Sequence, residues 1–539
     1  METTTANNSP RKRFIAWLRM PSAWLFVLLL AVFIGIPALY FSYVPIWDGW
    51  QFSRCYLTAA IAGSLWCFDH SAFIHTYLFG LTQKPDAGNF HYIYAANILL
   101  GVLGLLCMRA LLSRLYKASL SPTNLTLISF VFGLAPVFLV QVVQPSLDYT
   151  LPIYLTMALC FLYSGRFFPA ALAGVLMVFT KESGFMLYGV SVFLYVPLLL
   201  IKGSFTWRNK KRLLSVVAVL LIPIVLFIVY MFVTPKTQIG DSWLEGIIKM
   251  LKFYTVDPVI AAQLVSLLVL NFNWILTVII AAGLIILGVN RLKGRGRIEA
   301  GLGFYDRLYF YLLFVLFVYF LTRIPMWNNP RYMLPVLPVL VILFADSLPI
   351  VFRRQTVITG VLAVVLILLC ISSFRTIDPV SKKIMGTFNF GSHEILDMAS
   401  FGDARGYHGR DQLVYNFEFT EIHYLTEKIY ESIGTDKLFV VASHATWSNA
   451  LSSIDEKTGK RMMYGEGITS TRLTFADALI KRRRFPNEIY FIAFPYMEGT
   501  NEEEQTQLSY VYDTEDVIKV EDGGYAVDVY HYVKKADLR

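Results

Sequence analysis

Four charged residues stand where charge is costly, at the ends of long apolar runs, and their types suit acid–base chemistry beside a phosphate: Asp48, Asp148, Lys181 and Arg331. Asp48 lies in Val44-Pro45-Ile46-Trp47-Asp48-Gly49-Trp50, directly after the uncharged run from Ser22 to Tyr43. A carboxylate between two tryptophans and ahead of a long polar loop can serve as a general base at a cavity mouth. Its plainer reading is a solvated loop aspartate beside interfacial tryptophans. Asp148 is the lone acid in the short connection Gln144-Pro145-Ser146-Leu147-Asp148-Tyr149-Thr150-Leu151-Pro152. It can orient a reacting group or cap the helix that follows by accepting free amide N–H bonds.

Lys181 and Glu182 are neighbours in Phe179-Thr180-Lys181-Glu182-Ser183-Gly184. As an ion pair they would neutralise each other at the bilayer edge; as a site, Lys181 would face a phosphate. Arg331 opens the run Arg331-Tyr332-Met333-Leu334-Pro335, with Pro338 one turn on. Its guanidinium can make two parallel bonds to a phosphate or snorkel to lipid headgroups. The long loop after Asp48 adds Asp69, His70 and His75, with His91 beyond it. These four could hold a metal, but no spacing among them is diagnostic, and ordinary loop and interface roles are favoured.

The elements that must position these residues follow from composition. The chain has 56% hydrophobic and 16% charged residues and a mean hydropathy of +0.54, which excludes an ordinary soluble protein. Apolar runs at about 22–43, 92–112, 124–144, 150–165, 168–181, 185–201, 213–234, 264–289, 308–322, 332–350 and 356–374 predict about 11 transmembrane helices. Arg11, Lys12 and Arg13 precede a first run too long for a signal core, so helix 1 is expected to stay as an anchor. With the N-terminus cytoplasmic, alternation puts 20 basic residues on the inner side and eight on the outer. Asp48, Asp69, Asp86, Asp148, Glu182, Asp241, Glu245 and Asp257 fall outside, while Glu2, Glu299, Asp306 and Asp346 fall inside. The positive-inside rule does not demand that acidic bias, so it independently marks the outer face as the working one.

Residues 1–374 therefore form the membrane domain, and 375–539 a soluble domain on the outer face. The tail holds 19 Lys/Arg against 26 Asp/Glu. The whole-chain charge of +9 thus reports topology, not nucleic-acid binding. Strand-like runs at Leu438–Ser443, Glu488–Phe494 and Tyr525–Val533 alternate with Ser448–Ile454 and Arg472–Lys481, read as helical or loop, which predicts a small α/β domain. Lys481-Arg482-Arg483-Arg484 reads as a solvated helix end. Cys107, Cys160 and Cys370 lie in spans as small apolar residues; Cys55 and Cys67 share the first outer loop and could pair in an oxidising compartment. The chain has no G-x-G-x-x-G, Walker A or H-E-x-x-H motif.

An acid after span 1, a long first outer loop, an acid after span 3, a T-K-E turn after span 5 and a late R-Y-x-x-P-x-x-P helix together resemble the GT-C class of membrane glycosyltransferases. Within the dolichyl-phosphate-mannose-mannosyltransferase-like superfamily, the pattern is similar to the lipid A aminoarabinose transferases and protein O-mannosyltransferases. It covers about residues 10–350. Three features depart from it: Trp47-Asp48-Gly49 stands where many members carry Asp-Glu, Asp69-His70-Ser71 where many carry His-Pro-Pro, and the spans are fewer than in the aminoarabinose transferases. The resemblance implies transfer of a sugar from a polyprenyl-phosphate carrier to a lipid, glycan or protein acceptor on the outer face of the membrane; an uncleaved first helix and the compact tail favour a bacterial inner membrane. Asp48 would take the acceptor proton in a single inverting displacement. Lys181 and Arg331 would hold the donor phosphate. Asp148 would orient acceptor or sugar, or hold a divalent cation if one is used. Asp69, His70, Glu182 and Tyr332 would neighbour the site. Two alternatives stand beside this. A lipid or polysaccharide transporter or flippase would carry internal repeats and mid-membrane charges; an O-antigen ligase or polymerase would carry a large late outer loop rich in Arg and His.

Overall fold

Each of the eleven apolar runs contains an α-helix. The computed structural model of the protein describes residues 20–39, 52, 55–56, 73–80, 91–202, 210–233, 268, 272–293, 301–321, 330–374, 387–390, 393–397, 428–434, 436–442, 473–483, 485–493, 498–522 and 525–538. The helices are α1 (Pro21–Ala38), α2 (Phe73–Gly80), α3 (His91–Tyr116), α4 (Pro122–Gly133), α5 (Pro136–Gln141), α6 (Leu147–Leu162), α7 (Phe167–Val178), α8 (Glu182–Ile201), α9 (Lys210–Val233), α10 (Trp274–Leu292), α11 (Phe304–Leu321), α12 (Leu337–Val351) and α13 (Gln355–Phe374). A 3-10 turn, Pro330–Val336, leads into α12.

Among the described residues, eight stretches are long and apolar enough to cross a membrane: α1, α3, α8, α9, α10, α11, Arg331–Val351 and α13. α6 and α7 are shorter, at 16 and 12 residues. The run at 124–144, expected as one span, is two helices. Pro136 lacks an N–H and restricts the residue before it, so α4 ends at Gly133 and α5 starts afresh at Pro136. Pro21 and Pro122 likewise open α1 and α4, where the missing N–H costs nothing. The polar residues in the 264–289 run also have a role. Asn273 takes a positive φ of 74° and accepts from Ile275 N at 2.9 Å, capping α10.

Burial ranks the helices by position. In Arg331–Val351, 83% of the span window is buried, against 17% in α10 and 22% in α9. The 3-10 turn and α12 thus form the centre of the bundle, and α9 and α10 its rim. Large apolar side chains such as Phe232 and Leu292 stay exposed there, as lipid-facing residues do. Tyrosine hydroxyls bridge neighbouring helices: Tyr116 donates to Ile342 O (2.7 Å), Tyr195 to Leu162 O (2.6 Å) and Tyr188 to Leu220 O (3.0 Å).

Of the four acids expected inside, Asp306 and Asp346 are paired with bases expected on the same side, while Glu2 and Glu299 lie outside the described residues. Lys202 Nζ bonds both Asp306 oxygens at 2.5 Å, and Tyr163 donates to Asp306 Oδ1 at 3.0 Å. Asp346, fully buried, accepts from Arg307 Nε (2.6 Å) and Nη2 (3.2 Å) and from Leu302 N (2.6 Å). Asp306 and Asp346 are therefore structural counter-ions.

Past α13, a two-stranded hairpin joins β1 (Thr387–Phe390) to β2 (His393–Asp397). A five-stranded sheet then follows in the order β4-β3-β5-β7-β6, made of β3 (Phe439–Val441), β4 (Leu473–Phe475), β5 (Glu488–Ala493), β6 (Tyr512–Asp522) and β7 (Tyr525–Lys534). β4, β3 and β5 run parallel, and β5-β7-β6 antiparallel. Helices α14 (Ala476–Arg482) and α15 (Glu498–Ser509) complete this α/β unit, whose core includes Val440, Leu479, Ile489, Phe491, Leu508 and Tyr532. Three of these strands were legible in sequence. β6 was not, because its acids mask the alternation: Asp513, Glu515, Asp516, Glu521 and Asp522 lie along a strand at the sheet edge, where charge deters edge-to-edge pairing. The stretch Arg472–Lys481 splits between β4 and α14, and Ser448–Ile454 lies outside the described residues.

Candidate active site

Three helix N-termini bring the predicted charges together. Asp148 lies in the first turn of α6, Lys181 is the N-cap residue of α8, and Arg331 sits in the 3-10 turn that starts the central span. Lys181 Nζ donates to Asp148 Oδ1 at 2.7 Å, and Arg331 Nε lies 3.7 Å from Asp148 Oδ2. The three side chains are nearly out of solvent, at 5%, 12% and 9% exposure for Asp148, Lys181 and Arg331. Both cations also lie over the Tyr332 ring, Lys181 Nζ at 4.5 Å and Arg331 Cζ at 5.4 Å from its centroid.

Local sequence explains this placement. Gly184 lets α8 start against the end of α7: a Cβ there would come within 2.1 Å of Met177 O. Thr180 turns its hydroxyl back onto Leu176 O at 2.6 Å, closing the last turn of α7. The turn before α6 is clamped from α3, where Asn97 Nδ2 donates to Val142 O (3.1 Å) and Gln144 O (2.9 Å). Tyr149 returns the contact, its hydroxyl donating to Asn97 O at 2.8 Å.

A neutral hydrogen-bonded chain backs the same helix turn. Thr150 donates to Leu147 O (3.2 Å), so it accepts from His75 Nδ1 at 3.4 Å. That tautomer leaves His75 Nε2 to accept from the Tyr56 hydroxyl at 2.9 Å. His75 stacks on Phe79, with centroids 4.4 Å apart. Complete burial of α2's His75 lowers its pKa from 6.5 to about 3, so it stays neutral. The chain ties Tyr56 and α2 to the turn that carries Asp148.

Arg331 is turned to Asp148, not snorkelling. Lys181 bonds Asp148 across 33 residues of sequence, not Glu182 beside it. Glu182 occupies the first turn of α8 next to the cluster. Asp48, Asp69 and His70 lie outside the described residues. Both oxygens of Asp148 face cations, and both ring nitrogens of His75 have partners. Among the described residues no three His, Cys, Asp or Glu side chains converge as metal ligands. Asn97 and the Tyr56–His75–Thr150 chain escaped sequence reading, since a lone polar residue in an apolar run does not reveal its partner. Cys55 is disulfide-bonded, while Cys107, Cys160 and Cys370 are free.

Two crystal structures of ArnT from Cupriavidus metallidurans superpose on nearly the whole molecule. One is bound to undecaprenyl phosphate and the other is in the apo state. Each covers 97% of this chain and 98% of its own, at 14% sequence identity, with TM-scores of 0.53 and 0.50. The chain has the GT-C fold of ArnT. It is a multi-pass membrane architecture followed by a soluble C-terminal unit, which the motif pattern had resembled. No family model and no curated protein matches the sequence. At 14% identity it is the fold that ArnT and this chain share, and the chemistry must be argued from the residues.

Proposed function

We propose that this protein is a membrane glycosyltransferase that moves a sugar from a polyprenyl-phosphate donor to an acceptor on the outer face of the membrane. One observation carries the reading: two buried cations, Lys181 and Arg331, meet at the N-termini of three helices within the fold of a protein crystallised with undecaprenyl phosphate. Helix N-termini present free N–H groups and a positive dipole end, and with two cations they make a strong phosphate site. A phosphate leaves as an anion, so such a site stabilises the departing charge without a general acid.

In the reaction, the acceptor oxygen attacks the anomeric carbon as Asp48 takes its proton. The bond from that carbon to the phosphate oxygen breaks in line, which inverts the centre, and its electron pair stays on the phosphate. Asp148 keeps Lys181 and Arg331 ordered before the donor arrives, and Tyr332 backs both cations. A divalent cation, if used, falls to residues of the outer loop such as Asp69 and His70. Residues 1–374 are assigned to catalysis and 375–539 to a domain on the acceptor side. A bonded Cys55 in the first outer loop suits an oxidising compartment. That supports an inner-membrane protein with a cytoplasmic N-terminus and a periplasmic tail.

The test is release of free polyprenyl phosphate from a panel of labelled polyprenyl-phosphate sugars, with cell-envelope extract as acceptor. Wild-type release that disappears in Asp48→Asn while donor binding persists is the expected result. Equal release by both removes Asp48 from the chemistry. No binding of any polyprenyl phosphate overturns the reading in favour of a transporter for another cargo.

A further inference from the structure

Arg109 is a charged residue that the candidate active site does not use. It lies in α3, about 18 Å along the helix from Asn97, which clamps the turn before Asp148, and so towards the opposite end of the bundle. There α3 runs on for about 10 Å past Arg109, and its contacts Phe26 and Thr126 stand about 6–8 Å inside the starts of α1 and α4. The guanidinium is therefore set below the helix ends, where an ionised group is costly without a partner. Three helices hold it in place. Nε donates to the buried Thr126 Oγ1 at 3.1 Å, and that hydroxyl spends its own proton on Pro122 O at 3.0 Å. Cζ lies 5.6 Å from the centroid of Phe26, whose ring packs edge-on against Phe130 at 5.3 Å. A snorkelling arginine would instead reach past such groups to water.

Among the described residues no carboxylate pairs with Arg109, and Nε is its only bonded nitrogen. None of α1, α3 and α4 contains an acidic residue. The half-exposed guanidinium thus keeps the N–H groups of Nη1 and Nη2, a fork that suits two phosphate oxygens. The surface beside it is apolar: Leu106, one turn earlier on α3, is 48% exposed, and Val27, next to Phe26, is 42% exposed. Such side chains receive acyl chains and give free inorganic phosphate no solvated route. We propose that Arg109 binds the phosphate of an anionic phospholipid in the leaflet opposite the candidate active site, with the acyl chains along the exposed faces of α1 and α3. A zwitterionic headgroup brings its own ammonium next to the phosphate, which offsets the attraction, so a net negative headgroup is preferred. The lipid supplies the counter-ion that these three helices lack. The proposal does not depend on the donor-phosphate reading.

The experiment is native mass spectrometry of the full chain in a neutral detergent, titrated with dioleoyl phosphatidylglycerol or dioleoyl phosphatidylcholine. Wild type should bind the phosphatidylglycerol about tenfold or more tightly, and Arg109→Gln should lose that margin, as expected for charge-assisted bonds. Arg109→Lys, which keeps the charge without the fork, should retain part of it. Undecaprenyl phosphate should bind Arg109→Gln as it binds wild type. Its loss in that variant, with phosphatidylglycerol binding intact, would give the cleft to the carrier lipid and overturn the phospholipid. A second measurement uses wild type alone and decides the matter should Arg109→Gln fail to fold. Phosphatidylglycerol carrying a photoreactive group near its glycerol should label peptides around Phe26, Arg109 and Thr126, and excess phosphatidylglycerol, but not phosphatidylcholine, should suppress the label. Equal affinity of wild type for the two lipids, an unchanged margin in Arg109→Gln, or labelling confined to other helices overturns the proposal.

Discussion

Removing Lys181 should destabilise the protein through the charge it abandons, and a second substitution should repair the fold without repairing the site. In Lys181→Met, Asp148 keeps a side chain only 5% exposed and loses its 2.7 Å partner. Stripping one member from a buried ion pair costs about 3–5 kcal/mol. Lys181 is itself 12% exposed and Arg331 stays 3.7 Å from the other oxygen, so the lower end applies, about 3 kcal/mol. Asp148→Asn in the same chain removes the orphaned charge and should recover about 2 kcal/mol of that loss. Phosphate binding behaves differently. If Lys181 holds the donor phosphate as proposed, loss of its charge-assisted bond should weaken binding of undecaprenyl phosphate by about 1.5–3 kcal/mol, or roughly 10- to 150-fold. The double variant regains the stability but not the full native site. Denaturant unfolding of the wild type, both single variants and the double variant in one detergent gives the coupling energy, and calorimetric titration gives the affinities. A Lys181→Met protein as stable as wild type, or a double variant no more stable than Lys181→Met, would refute a buried, coupled pair.

Two further outcomes follow from neighbouring features. Gly184→Ala drives a Cβ to within 2.1 Å of the Met177 carbonyl, backbone that cannot yield cheaply, so α8 must shift and take Lys181 with it. The expected cost is about 2–3 kcal/mol, read as a lower unfolding midpoint together with weaker phosphate binding; a fully native midpoint would contradict the close approach. His75 supplies a pH signature. Its folded pKa of about 3 lies below the ordinary 6.5, so the unfolded chain binds the extra proton, and this group's stability contribution is lost as pH falls from about 6.5 toward 3. The slope approaches about 1.4 kcal/mol per pH unit. His75→Phe, which preserves the stack on Phe79, should flatten the stability profile in that window relative to wild type; an unchanged slope would show that His75 is accessible to protons.

Sequence alone determined the membrane class, the approximate set of helices, the soluble α/β tail and the identity of the charges worth following. The reason is thermodynamic. Uncharged runs of membrane length and a basic bias on alternate loops are imposed residue by residue by the bilayer. An ionised group at such a boundary is costly enough to stand out. Helix breaks were legible only in part, since Pro136 splits a run that counts as apolar throughout. β6 was hidden because its edge position demands charge where a strand signal demands alternation. Which charges meet was decided by tertiary structure alone. Asp148 could as well have capped its helix, Lys181 could have paired with Glu182, and Arg331 could have reached for headgroups. Each choice is locally satisfactory, and local spacing does not separate them. Only the packing of α6, α8 and the central span brings their N-terminal ends within bonding distance, and it does so through contacts such as Gly184 against Met177 and Asn97 against the turn before α6. The same packing largely excludes water from the three side chains, which turns charges that look separate in sequence into one buried cluster.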